Sequence, residues 1–123
     1  MSVSIYYEAK RATTLSPAER VKVSELVEKF SVDKDIENYM ETGKGLNWES
    51  FGFYDEPYEA GVILKGSTSL PDNSPTAVWS GIQRWCLALS EIRRAVRNAT
   101  WEAQVEDHQL WWDETKQMYD PAK

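Results

Sequence analysis

Eight carboxylates fall between Asp33 and Glu59: Asp33, Asp35, Glu37, Glu41, Glu49, Asp55, Glu56 and Glu59. Only Lys34 and Lys44 oppose them there. This segment carries the whole formal net charge of −6, because the other residues hold twelve acids and twelve bases. Six aromatics share it: Tyr39, Trp48, Phe51, Phe53, Tyr54 and Tyr58. Carboxylates at this density steer a basic surface toward them, and aromatics anchor the dry centre of an interface. A solvated loop beside a core strand would have the same composition. Trp48, Tyr54 and Tyr58 are the aromatics least claimed by a core pattern. The candidate partner-binding residues are therefore Asp33, Asp35, Glu37, Glu41, Trp48, Glu49, Tyr54, Asp55, Glu56, Tyr58 and Glu59.

Other chemistry finds little support. The single histidine, His108, falls in an expected turn between acids, where solvation is its expected state. The single cysteine, Cys86, lies in a helical apolar pattern and reads as a small buried hydrophobe. Zinc sites draw mainly on these two residue types, so one of each does not build one. No Gly-x-Ser-x-Gly, His-Glu-x-x-His or Cys-x-x-Cys string occurs. Asp33-Lys34-Asp35-Ile36-Glu37 alternates acids but lacks the later glycine and terminal glutamate of a calcium loop. It reads as a helix start. Gly66-Ser67-Thr68-Ser69 lacks the Gly-Lys-Ser/Thr of a phosphate loop and reads as a connector. The chain thus calls for no cofactor or metal and reads as non-enzymatic. An enzymatic alternative would pair carboxylates with Tyr6, Tyr7 or Lys10.

At 123 residues, the chain is expected to form one domain over residues 1–123. Net negative charge opposes nonspecific affinity for nucleic acid and for anionic membrane. Met1 to Lys10 has no basic leader pattern, and no apolar run approaches the length of a membrane span. A lone cysteine excludes an internal disulfide. These features point to a soluble, cytoplasmic protein.

The elements that would position the acids follow from periodicity. Val3, Ile5 and Tyr7 alternate with Ser4, Tyr6 and Glu8, a first strand. Ser16-Pro17-Ala18-Glu19 starts a helix with a capping box. Val23, Leu26, Val27 and Phe30 then share one face, and the helix is expected to end near Val32. Asp33 to Tyr39 is a short helical turn. Asn47 to Tyr54 reads as a second strand with Phe51 and Phe53 on its core face. Val62 to Lys65 reads as a third, pairing with it as a hairpin. Ser74-Pro75 repeats the helix start. Val78, Ile82, Trp85, Leu89, Ile92 and Val96 then form one apolar stripe over five turns. Arg93, Arg94 and Arg97 crowd its end, where cations suit the helix dipole. Trp101 to Glu106 alternates as a fourth strand, Asp107-His108 turns, and Leu110 to Asp113 returns. Met118 and Tyr119 dock from a polar tail.

The fold class expected is α+β: a two-layer sandwich in β-α-β-β-α-β order, ferredoxin-like. Its antiparallel sheet would carry two helices on one face and an extra C-terminal edge strand. Its other face would be open to solvent, a partner or a second copy. Trp111 and Trp112 must point to opposite faces of their strand. One of them needs cover from the tail, a second subunit or a partner. Their neighbours Glu102, Glu106, Asp107, Asp113 and Glu114 are all acidic.

Ser50-Phe51-Gly52-Phe53-Tyr54 resembles the Gly-Phe-Gly-Phe-Val core of the aromatic signature strand in RNA-recognition domains. The resemblance implies base stacking on an open sheet face. The match departs at Glu49, where the family has a basic residue, at Ser50 and at Glu56. Those carboxylates would repel a phosphate backbone, and the string falls on the second strand rather than the third. Phe51 and Phe53 read as core.

In size, acidity and lack of a catalytic motif, the chain resembles bacterial immunity proteins that neutralise toxins, many of them basic nucleases. That resemblance is one of general character and implies steric occlusion of a basic toxin's active site. Carboxylates would stand in for the phosphates of the toxin's substrate. Two other expectations remain open: a homodimer holding a small molecule between open sheet faces, and an RNA-binding domain.

Overall fold

Alternation in the first strand sets the two layers. In a computed structural model describing residues 3–123, Ile5, Tyr7 and Ala9 of β1 (Ser4–Lys10) are buried. Tyr6, Glu8 and Lys10 face the other way. β1 is the centre of the sheet. It pairs antiparallel with β2 (Val62–Ser69), placing Tyr7 opposite Gly66 and Ile5 opposite Thr68. On its other side it pairs antiparallel with β3 (Thr100–Val105), placing Tyr7 opposite Ala103. A two-residue strand, β4 (His108–Gln109), closes that edge, so the sheet order is β2-β1-β3-β4. Register slips between Ala9 and Lys10. That bulge leaves Ile63 without an opposite residue, and Val62, Ile63 and Leu64 are buried in succession.

Among the described residues, three helices accompany the sheet. α1 (Pro17–Lys29) starts as its sequence dictates. The Ser16 hydroxyl accepts from Glu19 N–H at 3.1 Å, and the Glu19 carboxylate accepts from Ser16 N–H at 2.8 Å. Its Val23 and Leu26 are buried, with Val27 and Phe30 packed beside them. α3 (Ala77–Ala95) buries Trp85, Leu89 and Ile92 completely, and Val96 follows them. Val78 and Ile82 of the expected stripe pack against this core and are partly buried. α3 begins at Ala77 rather than at Pro75, without a side-chain cap. Gly81 lets Leu70 and Pro71 pack closely on α3, because a Cβ there would sit 2.6 Å from Pro71 Cδ.

The α+β class and the antiparallel sheet agree with the sequence reading, and the ferredoxin-like order does not. Asn47 to Tyr54 joins no ladder, so the element order is β-α-α-β-α-β-β-β-β. Only Tyr54 N–H reaches the expected neighbour, at Lys65 O, 2.8 Å away. The rest of the segment is held by side chains. β2 extends to Ser69 and so absorbs the expected Gly66–Ser69 connector. α1 ends at Lys29, not Val32. The expected short turn at Asp33 is a ten-residue helix, α2 (Asp33–Thr42), closed by Gly43 at φ +71°. The expected C-terminal edge strand leaves the main sheet. β5 (Trp111–Asp113) pairs with β6 (Met118–Asp120) in a separate hairpin that docks on α3. There the Ser90 hydroxyl accepts from Tyr119 N–H at 2.9 Å.

Candidate functional site

Aromatic packing fixes the acidic segment. Phe51 lies between Tyr7, at 4.7 Å between ring centroids, and Trp85, at 5.1 Å, both in stacked geometry. Phe53 meets Tyr7 edge-on at 5.4 Å, and Trp48 meets Trp85 edge-on at 5.6 Å. Offset and edge-on aromatic pairs add to plain apolar burial. The Tyr7 hydroxyl donates to Gly52 O and lies 2.8 Å from the Thr68 hydroxyl. Burial pushes the Tyr7 phenol up to about 12, against the opposing effect of its Thr68 and Gly52 bonds. Phe51 and Phe53 thus belong to the core. Trp48 is half-buried by its contact with Trp85.

The carboxylates of the segment lie outside this anchor and differ in what they touch. Glu56 pairs with Arg20 at 2.7 Å, and Glu59 with Lys65 at 3.1 Å. Glu49 accepts from Ser69 N–H at 2.9 Å, at the end of β2. Tyr54 is 50% exposed and lies 2.6 Å from the Ser67 hydroxyl. The Tyr58 hydroxyl donates to Tyr54 O, and partial burial raises its phenol. Asp55 is exposed.

The other four candidates, Asp33, Asp35, Glu37 and Glu41, lie on α2. That helix buries none of its residues, although Ile36 packs beside the core. Asp33 reaches only the Ser50 hydroxyl, at 3.5 Å. Among the described residues, no cation lies within 4.0 Å of these four carboxylates. Met40 beside them is 80% exposed. The segment therefore divides into a tied turn, 54–59, and an unpaired acidic helix.

Sequence reasoning missed the charge on the open sheet face. Glu8 of β1 stands opposite Glu102 of β3 and opposite Lys65 of β2. Lys65 lies 3.6 Å from Glu8 and also holds Glu59, so it ties the turn to the sheet. Glu8, Lys65 and Glu102, with Tyr6 and Tyr54, line a shallow depression of about 170 Å³. Strand alternation placed Glu8 and Glu102 on outer faces. Only the register makes them neighbours. Among the described residues, no helix is long and apolar enough to cross a membrane. Comparison of the chain with protein-family models, with curated proteins and with solved structures found no match.

Proposed function

We propose that the chain is a non-enzymatic inhibitor of the immunity type, which grips a basic protein partner through α2 and occludes its active site. The observation that carries this reading is the pair Glu37 and Glu41. They stand one helical turn apart, unpaired, on a helix with no base in its last turn. Like charges at this spacing cost about 0.2–0.5 kcal/mol. A carboxylate near the negative end of a helix dipole costs about 0.3–1 kcal/mol more. Acids placed against the fold's own stability suit a surface whose use lies in binding. Four carboxylates along α2 match a cationic groove built for a polyanion, and Met40 adds an apolar contact. Anchoring by Phe51 and Trp48 holds the chain that follows α2 before a partner arrives.

The test is capture from the native host at low salt, followed by co-expression. The captured protein is expected to be basic and toxic when expressed alone. Growth is expected to return with the wild-type chain and to fail with Asp35→Lys, Glu37→Lys and Glu41→Lys combined. Rescue by that triple variant would remove α2 from the grip.

Dimerisation through the open sheet face is the weaker reading. A second copy stacked there would bring two Glu8–Glu102 rows together. Sedimentation at twice the monomer mass would favour it nonetheless. Phe51, buried between Tyr7 and Trp85, weighs against base stacking and RNA binding.

A further inference from the structure

A cleft of about 540 Å³ opens at the C-terminal end of α3, a volume in the range of small-molecule sites. Arg93, Arg94 and Arg97 line it, and Trp112 supplies an aromatic wall. The Arg93 guanidinium lies 4.0 Å from the Trp112 ring centroid and donates to the Tyr119 hydroxyl at 3.2 Å. Arg94 donates to Gln117 O at 2.6 Å. The Arg97 guanidinium makes no hydrogen bond among the described residues; only its backbone carbonyl is engaged, by Arg11. None of the three has a carboxylate within ion-pair distance among those residues.

The dipole of α3 explains cations in its last turn but not a cleft built around them. Two chain reversals shape the cleft. Three non-glycine residues have positive φ among the described residues, and two of them line this cleft: Asn98 at φ 59° and Gln117 at φ 55°. Asn98 lies in the bend just after α3 and Gln117 in the turn joining β5 to β6, so these conformations set the rim of the cleft.

Charge selects the ligand. Glu114 is the one carboxylate lining the cleft, so its side chains sum to +2. The end of α3 contributes roughly −0.5. A phosphate monoester, at about −1.5 to −2, balances the remainder, and a carboxylate leaves part of it unmatched. Planar guanidinium forks suit the oxygens of such a group. We propose that this cleft binds a small molecule bearing a phosphate monoester. The proposal shares no residue with α2 and stands apart from the function assigned to that helix.

The intact chain would be titrated with phenyl phosphate at constant ionic strength, with benzoate and sodium chloride as controls. Tryptophan and arginine side-chain NMR signals would be followed. Saturable shifts of Trp112 and Arg97 are expected with phenyl phosphate. Arg97→Gln, at an exposed position, is expected to keep the wild-type melting temperature and weaken binding about tenfold or more. Shifts that track ionic strength without saturating would overturn the proposal. Equal affinity in Arg97→Gln would do the same, and benzoate binding as tightly as phenyl phosphate would overturn the phosphate assignment.

Discussion

The Tyr7 hydroxyl lies 2.8 Å from the Thr68 hydroxyl, linking the central strand to its neighbour inside the core. Its proton goes to Gly52 O, so the same oxygen also pins the acidic segment. Tyr7→Phe keeps the ring stack and removes both bonds, leaving the buried Thr68 hydroxyl and the part-buried Gly52 O without the phenol. The expected loss is about 1–3 kcal/mol, read from urea denaturation. A loss below about 0.5 kcal/mol would mean that water replaces the phenol.

Gly66 faces Tyr7 across the sheet, and the 52–53 backbone crosses directly over it. A Cβ at Gly66 would meet Gly52 O at 2.6 Å and Tyr7 Cε2 at 2.7 Å. Neither can yield cheaply, since one is backbone and the other a packed ring. Gly66→Ala is expected to cost roughly 1–3 kcal/mol. The near-ultraviolet circular dichroism of the Tyr7–Phe51–Trp85 stack should weaken with it. An unchanged spectrum would show that the segment shifts without disturbing its rings.

Glu19 links stability to pH. The Arg11 guanidinium at 2.8 Å, with the Ser16 N–H, holds its carboxyl at about 2, below its ordinary 4.5. The unfolded chain therefore takes up this proton near 4.5, and the folded chain only near 2. The contribution is complete above the higher value and is lost as pH falls through that window. In thermal melts, the gap between wild type and Glu19→Gln should shrink from about pH 6 to about pH 2.5. A gap independent of pH would assign the role of Glu19 to uncharged contacts.

Cys86 is buried in α3, and burial pushes its thiol up to about 12. A thiol reagent at neutral pH should leave it untouched in the folded chain and modify it fully in denaturant. Prompt labelling without denaturant would indicate local opening of α3.

Glu41→Lys separates binding from stability. The lysine would complement the end of α2 and relieve repulsion from Glu37. Stability should rise by about 0.3–1 kcal/mol while capture of a basic partner weakens. A variant that is more stable and binds equally well would leave Glu41 outside the grip.

Patterns confined to one element were legible in the sequence. The Val78-to-Val96 stripe and the Ser16-Pro17-Glu19 start each need no distant partner to be read. Trp111 and Trp112 obeyed strand alternation: Trp112 packs under Arg93, and Trp111 is 47% exposed with Lys123 over its ring. Partners far along the chain were not legible. The facing of Phe51 and Phe53 was readable, but the segment joins no ladder. Its anchor is Tyr7, 45 residues away from Gly52. The division of the acidic candidates had the same cause. Glu56 is tied by Arg20, 36 residues away, and no local pattern announces that pairing. The ferredoxin-like order failed because the segment 47–54, expected to pair with 62–65 as an edge strand, joins no ladder, while the two-residue β4 extends the opposite edge.

That central place of β1 has a consequence for synthesis. Ile5 must wait for Thr68 on one side and Val105 on the other. At roughly 5–20 residues per second, β1 leaves the ribosome about 5–20 s before its second neighbour exists. The edge toward β3 stays open through that whole interval, and the edge toward β2 through the first part of it, with Ile5, Tyr7 and Ala9 incompletely covered. The nascent chain is thus exposed to misassembly at β1, and a chaperone that shields Ser4–Lys10 would act there.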